Sequence, residues 1–177
     1  MTIDIGTARG IDAETFGKPG ERTFRLRIIG ASMESASLWM EKEQVQALSL
    51  ALIQMLAQIG RQQQAAEVWL SGFPDVADHD LRIGRMGIGF DPADQAIILQ
   101  IFELGMEEND PPTLNVRLRP EHCASLNGQL MRIIGSGRPV CPLCGSPIDA
   151  AGHMCVRANG HSKQPIPEAG GEDEEED

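Results

Sequence analysis

The sequence predicts an α+β fold: an antiparallel sheet with two helices on one face, followed by a small cysteine-bearing module. Three observations lead there. Several short stretches alternate apolar and polar residues, as half-buried strands do. Two longer stretches place apolar residues at helical spacing. Both kinds of stretch recur in the same order in the two halves of the chain.

The elements follow in chain order. Residues 1–20 are rich in Gly, Thr and Asp and lack a clear period, which predicts a flexible N-terminal arm. "GKPGERT" is a turn, and "TFRLRII" sets Phe24, Leu26 and Ile28 against Arg25 and Arg27, a strand with one buried side. "ASLWME" alternates again, with Leu38 and Met40 on one side. The next run, "KEQVQALSLALIQMLAQIG", places Val45, Leu48, Leu52, Met55, Leu56 and Ile59 on one helical face and ends at Gly60, a C-terminal cap.

Residues 61–80 connect the halves. "VWL" within them reads as a short strand and "GFPDVADHD" as a polar surface loop. "LRIGRMGIGF" and "QAIILQIFEL" are strand-like runs separated by the turn sequence "DPAD". "TLNVRL" alternates Leu114, Val116 and Leu118. "RPEHCASLNGQLMRIIGSG" is a second amphipathic helix with Pro120 in its first turn and Cys123, Leu126, Leu130, Ile133 and Ile134 on its apolar face. On that face Cys123 is an inert core thiol, and His122 beside it faces solvent.

A shift of 78 residues superimposes the patterns of the two halves. Phe24 and Leu26 fall on Phe102 and Leu104, Leu38 and Met40 on Val116 and Leu118, and Glu43 on Glu121. Leu48, Leu52 and Met55 fall on Leu126, Leu130 and Ile133. The domain at 21–137 is therefore read as pseudo-duplicated strand-strand-helix units.

The totals exclude several classes. The chain has 177 residues and 41% apolar content, enough for one aliphatic core, since it holds five Phe, two Trp and no Tyr. Its net charge is −11, and the closing "EDEEED" supplies six of the acids, leaving about −5 on the rest. That balance disfavours nucleic acid and anionic membranes as partners. No run of 18 apolar residues exists, and the N-terminus lacks the basic and apolar regions of a signal peptide, so the expected location is cytoplasmic. Thiols stay reduced there, and clustered cysteines read first as metal ligands.

The stretch "CPLCGSPIDAAGHMC" is such a cluster. Cys141 and Cys144 form a Cys-x2-Cys turn, and Cys155 follows across a short hairpin. This is the layout of a zinc ribbon, with Ala158 where the usual fourth ligand would be. Two histidines can replace it. His153 is favoured, because two residues before Cys155 it shares a strand face with that cysteine, and His161 is the alternative. A Cys3His set closes the zinc site and makes it structural. A module spanning only 138–162 buries too little to fold without the metal. The acidic residues at 163–177 are a disordered tail.

Other signals are weaker. Arg82, Gly84, Arg85, Gly87 and Gly89 make a glycine-rich strand that could bind a phosphate-bearing ligand through backbone amides and arginines. Its spacing is not that of a nucleotide motif, and glycines in strands more often mark a bulge or a close backbone approach. Arg138, Arg157 and Lys163 give the module local positive charge, without the interleaved aromatics of a nucleic-acid site.

"GKPGERTFRL", "WMEKEQVQAL", "LRIGRMGIGFD" and "GRPVCPLCGSPIDAAGHMCVRANGH" together resemble a bacterial, mainly actinobacterial, domain-of-unknown-function family, number 3090. The resemblance implies a gene trio with a histidine-phosphatase-like protein and a protein similar to a phosphatidylinositol kinase. It thus implies phosphoryl chemistry nearby, close to thiol-cofactor synthesis. It also implies that the Cys-x2-Cys and "GHxC" elements belong to the family, which agrees with Cys141, Cys144, His153 and Cys155 as ligands. The function expected is a non-enzymatic zinc-binding adaptor or regulatory protein with a protein partner, possible candidates being those two neighbours. The alternative is an enzyme or small-molecule sensor with its anionic ligand at strand 82–90.

Overall fold

The computed structural model describes residues 1–60, 72–137, 141–143, 148 and 155. The chain divides into two compact units, Met1–Gly137 and Arg138–Asp177. The first holds strands β1 (Ile3–Thr7), β2 (Gly10–Phe16), β3 (Thr23–Ile29) and β4 (Ser35–Met40), then helix α1 (Lys42–Gln58). Strands β5 (His79–Asp91), β6 (Ala96–Glu103) and β7 (Leu114–Leu118) and helix α2 (Pro120–Gly135) follow. The expected strand "VWL" lies outside the described residues, as do Cys144, His153, His161 and the acidic tail. Among the described residues no helix is long and apolar enough to cross a membrane.

The seven described strands form one sheet in the order β1-β7-β6-β5-β4-β3-β2. Alternation predicts the inward rows correctly: Phe24, Leu26 and Ile28 of β3, Ala36, Leu38 and Met40 of β4, and Leu114, Val116 and Leu118 of β7 are all buried. Both helices close the same core, with Val45, Leu48 and Leu52 from α1 and Cys123, Leu126 and Leu130 from α2. On the outer side Arg25 pairs with Glu14 at 2.6 Å, and Arg27 pairs with Asp12 and Glu14. The Arg25 guanidinium also stacks on Phe16 and Trp39.

The expected antiparallel sheet is in fact mixed. β4 pairs with β5 and β1 with β7 in parallel, while the remaining neighbours are antiparallel. For β4 and β5 the cause is the crossover: α1 carries the chain back along the sheet, so the strand after it runs the same way as the strand before it. Alternation reports which face is buried and carries no information on strand direction.

The expected flexible arm at 1–20 holds two strands instead. Ile5 and Ile11 are buried, and consecutive residues bond to opposite edges of the sheet. Ala8 donates its N–H to Arg117 O and Arg9 its N–H to Ile29 O, both at 2.8 Å. One segment is thus the partner of β7 through β1 and of β3 through β2, and it closes the sheet on itself. Gln129 of α2 fastens β2 further by accepting the Ala13 N–H at 2.8 Å.

The order of elements does repeat, but with three strands before each helix where two were expected, and in a different register. Two β-β-β-α units follow one another, β2-β3-β4-α1 and β5-β6-β7-α2. Ser49 of α1 donates to Asn127 of α2 at 2.6 Å, a contact between residues 78 apart, so equivalent positions touch. The equivalence of Phe24 with Phe102 and Leu26 with Leu104 does not hold. Leu26 pairs with Leu38, and the strand partner of Val116 is Leu99; Leu104 is exposed. The β6–β7 connection is longer than the β3–β4 connection, and the extra residues displace the register.

Closure brings backbones together at Gly30, where an added Cβ would sit 2.0 Å from Ile5 O. Gly128, exposed in mid-helix, has open space at the same test. Gly30→Ala should therefore destabilise the domain by about 1–3 kcal/mol. Gly128→Ala should stabilise it by roughly 0.5–1 kcal/mol through helix propensity. Urea midpoints of the two variants check the opposite signs.

Candidate metal centre and strand cavity

Two of the four predicted metal ligands are described, and they lie together. Cys141 and Cys155 are both buried, and their sulfurs are 3.7 Å apart across 14 residues of chain. A disulfide would need about 2.05 Å between sulfurs. Two thiolates on one tetrahedral zinc, each about 2.3 Å from the metal, stand about 3.8 Å apart. The donor chemistry and the separation both fit zinc. Cys144 and His153, and the alternative His161, lie outside the described residues.

The glycine-rich strand borders a cavity of about 360 Å³ between α1 and β5. Gly84, Arg85 and Gly87 line it, with Ala47, Leu48 and Ile88 among its apolar walls and Glu43 at its rim. Arg82 and Gly89 are not among its lining residues. Both arginines are engaged elsewhere. Arg82 pairs with Glu41 at 3.0 Å. Arg85 donates to the carbonyls of Glu107 and Glu108 at 3.3 and 2.8 Å, and its guanidinium lies 3.4 Å from the Phe102 ring centroid. Gly84 sits at a register shift in β5, where a Cβ would come 3.0 Å from Glu103 O. Its role is the close backbone approach that strand glycines commonly mark.

The "DVADHD" loop is structural. Asp78 accepts from the Ser35 hydroxyl and N–H at 2.7 and 2.8 Å, and these bonds hold its carboxyl below the usual range. His79 Nε2 lies 2.8 Å from Glu34 Oε1. Both contacts tie the start of β4 to the start of β5, where the parallel pairing begins. Cys123 is wholly buried, and burial pushes its thiol up to about 12.

His122 does not face solvent as expected. It is half-buried, burial lowers its pKa, and its Nδ1 is enclosed without a hydrogen-bond partner among the described residues. It lines a second cavity, of about 290 Å³, with Thr7, Ala8, Arg9, Ala31 and Arg119. Sequence reasoning missed this place because Thr7 to Arg9 fall in the segment read as an arm. The signal that could have found it is the repeat, which aligns Arg119 and His122 with Glu41 and Gln44 of α1.

The family model described as "Protein of unknown function (DUF3090)" matches residues 7–155. The chain belongs to the DUF3090 family. No curated protein matches it. The DUF3090 match takes in Cys141, Cys144, His153 and Cys155 and leaves out His161 and the acidic tail.

A thiol pushed up to about 12 stays protonated in neutral and mildly alkaline buffer. Cys123 should therefore resist iodoacetamide at about pH 8 in the native protein and react after denaturation. Peptide mapping by mass spectrometry reads this directly. Rapid native labelling of Cys123 would contradict its place in the core.

Proposed function

We propose that this DUF3090 protein is a non-enzymatic adaptor or regulatory protein whose C-terminal unit is a zinc-ribbon-like module. Cys141, Cys144, Cys155 and His153 hold the metal, with His161 as the alternative fourth ligand. The observation that carries the reading is the 3.7 Å approach of Cys141 and Cys155, which suits two thiolates sharing one tetrahedral ion. The spacing of His153, two residues before Cys155, supports it over His161.

With four protein ligands the site has no open position for water or substrate. Zinc there supplies folding free energy to a segment too short to support its own core. The thiols bind as thiolates and the histidine as neutral imidazole. The module then presents a fixed surface to a protein partner, and the histidine-phosphatase-like and kinase-like gene neighbours implied by the family resemblance are the candidates.

The cavity beside Gly84 and Gly87 favours one second reading, a small-molecule sensor. Its apolar walls and the engagement of Arg82 and Arg85 weigh towards an apolar ligand over a phosphate-bearing one.

Elemental analysis of full-length protein purified without added metal tests the main reading. One zinc per chain is expected, lost in His153→Ala and kept in His161→Ala. Zinc retained in both variants would leave the fourth position to water or another group and turn the argument towards metal catalysis. Absence of zinc would overturn the reading. In the zinc-loaded protein, chelation should raise amide exchange over about 138–161 and leave β3 to β7 protected. Loss of protection throughout the chain would contradict two separately held units.

A further inference from the structure

The cavity at the start of α2 has a chemistry that the zinc reading does not use. Among the described residues it is lined by Arg9, Arg119 and His122 with Thr7, Ala8 and Ala31, and by no carboxylate. Among the described residues neither Arg9 nor Arg119 forms an ion pair; Arg9 reaches only the Met33 sulfur, at 3.4 Å, a weak acceptor. This is unusual for the chain, whose other described arginines on the sheet are largely paired and whose net charge is −11. Two arginines lining one cavity, neither in an ion pair among the described residues, attract an anion.

His122 lies beside the two arginines in the cavity lining. His122 Nδ1 is enclosed and has no protein partner among the described residues. A buried polar atom in that state loses a hydrogen bond it would have in water.

The two helix starts differ in their side chains. At the start of α1, Gln44 accepts the Glu41 N–H at 2.8 Å and donates to the carbonyls of Ile83 and Gly84 at 3.0 and 3.1 Å. Glu41 in turn pairs with Arg82. That helix start is satisfied by its own side chains. The positions 78 residues on are Arg119 and His122, and no side chain caps α2. The first intrahelical bond there runs from Cys123 N–H to Arg119 O, so the amides of Glu121 and His122 precede it. One copy of the repeat fills its helix start; the other lines the equivalent place with cations.

We propose that the cavity formed by Arg9, Arg119 and His122 binds a small phosphate-bearing ligand, its phosphate oxygens taken by the two guanidinium groups. A volume of about 290 Å³ suits a phosphate with a small attached group. Because β1 and β2 meet at Ala8 and Arg9, occupancy would also reinforce the closure of the sheet.

The test is calorimetric titration of the full chain with inorganic phosphate and with pyrophosphate, at constant ionic strength. Saturable binding at one site per chain is expected. Arg119→Gln and Arg9→Gln should each weaken it at least tenfold, His122→Gln several-fold, and Arg132→Gln, at the far end of α2, should leave it unchanged. Circular dichroism confirms folding; if Arg119→Gln does not fold, Arg119→Lys takes its place and should weaken binding while keeping the charge. Absence of saturable binding to either probe would overturn the proposal. So would equal weakening by Arg132→Gln, which would reveal general charge attraction only.

Discussion

The structure depends on one segment bonding to both edges of its own sheet. At Ala8 and Arg9 the chain passes from the β7 edge to the β3 edge within two residues, each donating at 2.8 Å. Without that passage β3 and β7 would be exposed edges, each a template for pairing with another chain. With it, the inward rows of the described strands and the apolar faces of both helices share one core. The same passage dictates glycine at position 30, because the Ile5 carbonyl occupies the place of a side chain. It also forms the floor of the basic cavity, which exists only because Thr7, Ala8 and Arg9 are brought beside the start of α2.

Duplication supplies the remaining architecture. Two three-stranded meanders, each followed by a helix, sit side by side with β4 and β5 paired in parallel, and β1 pairs with β7 in the same sense. Ser49 and Asn127 bond across the two helices at equivalent positions. The copies differ where function would be expected to differ. One helix start is closed by Glu41, Gln44 and Arg82; the other carries Arg119 and His122, whose Nδ1 has no hydrogen-bond partner among the described residues. A symmetric fold can thus keep one copy for stability while the other is free to acquire a ligand.

Much of this was legible in the sequence, and the failures have physical causes. β3, β7 and both helices follow from periodicity, because each buries mainly one face; β4 follows from its apolar alternation although Ser35 and Ser37 on its other face are buried as well. β1 does not, since Gly6 takes a positive φ and the register shifts between Asp4 and Thr7, which breaks the alternation; β2 is regular, but its sequence GIDAETF offers few large apolar residues and no clean buried face. Strand direction was invisible because a one-sided strand has the same period in either sense. Arg82 and Arg85 read as anion partners in the sequence, yet Glu41 and the carbonyls near Glu108 come from distant parts of the chain and engage them. The sequence put Cys141 and Cys155 in one cluster, and their sulfurs stand 3.7 Å apart.

The central functional claim is that these cysteines belong to a closed, structural zinc site. Zinc-edge X-ray absorption spectroscopy on the full chain tests it most directly, because it reads the ligand atoms themselves. The account predicts three sulfurs at about 2.3 Å and one nitrogen at about 2.0–2.1 Å, with no water oxygen in the shell. A shell containing oxygen, or one with fewer than three sulfurs, would contradict it.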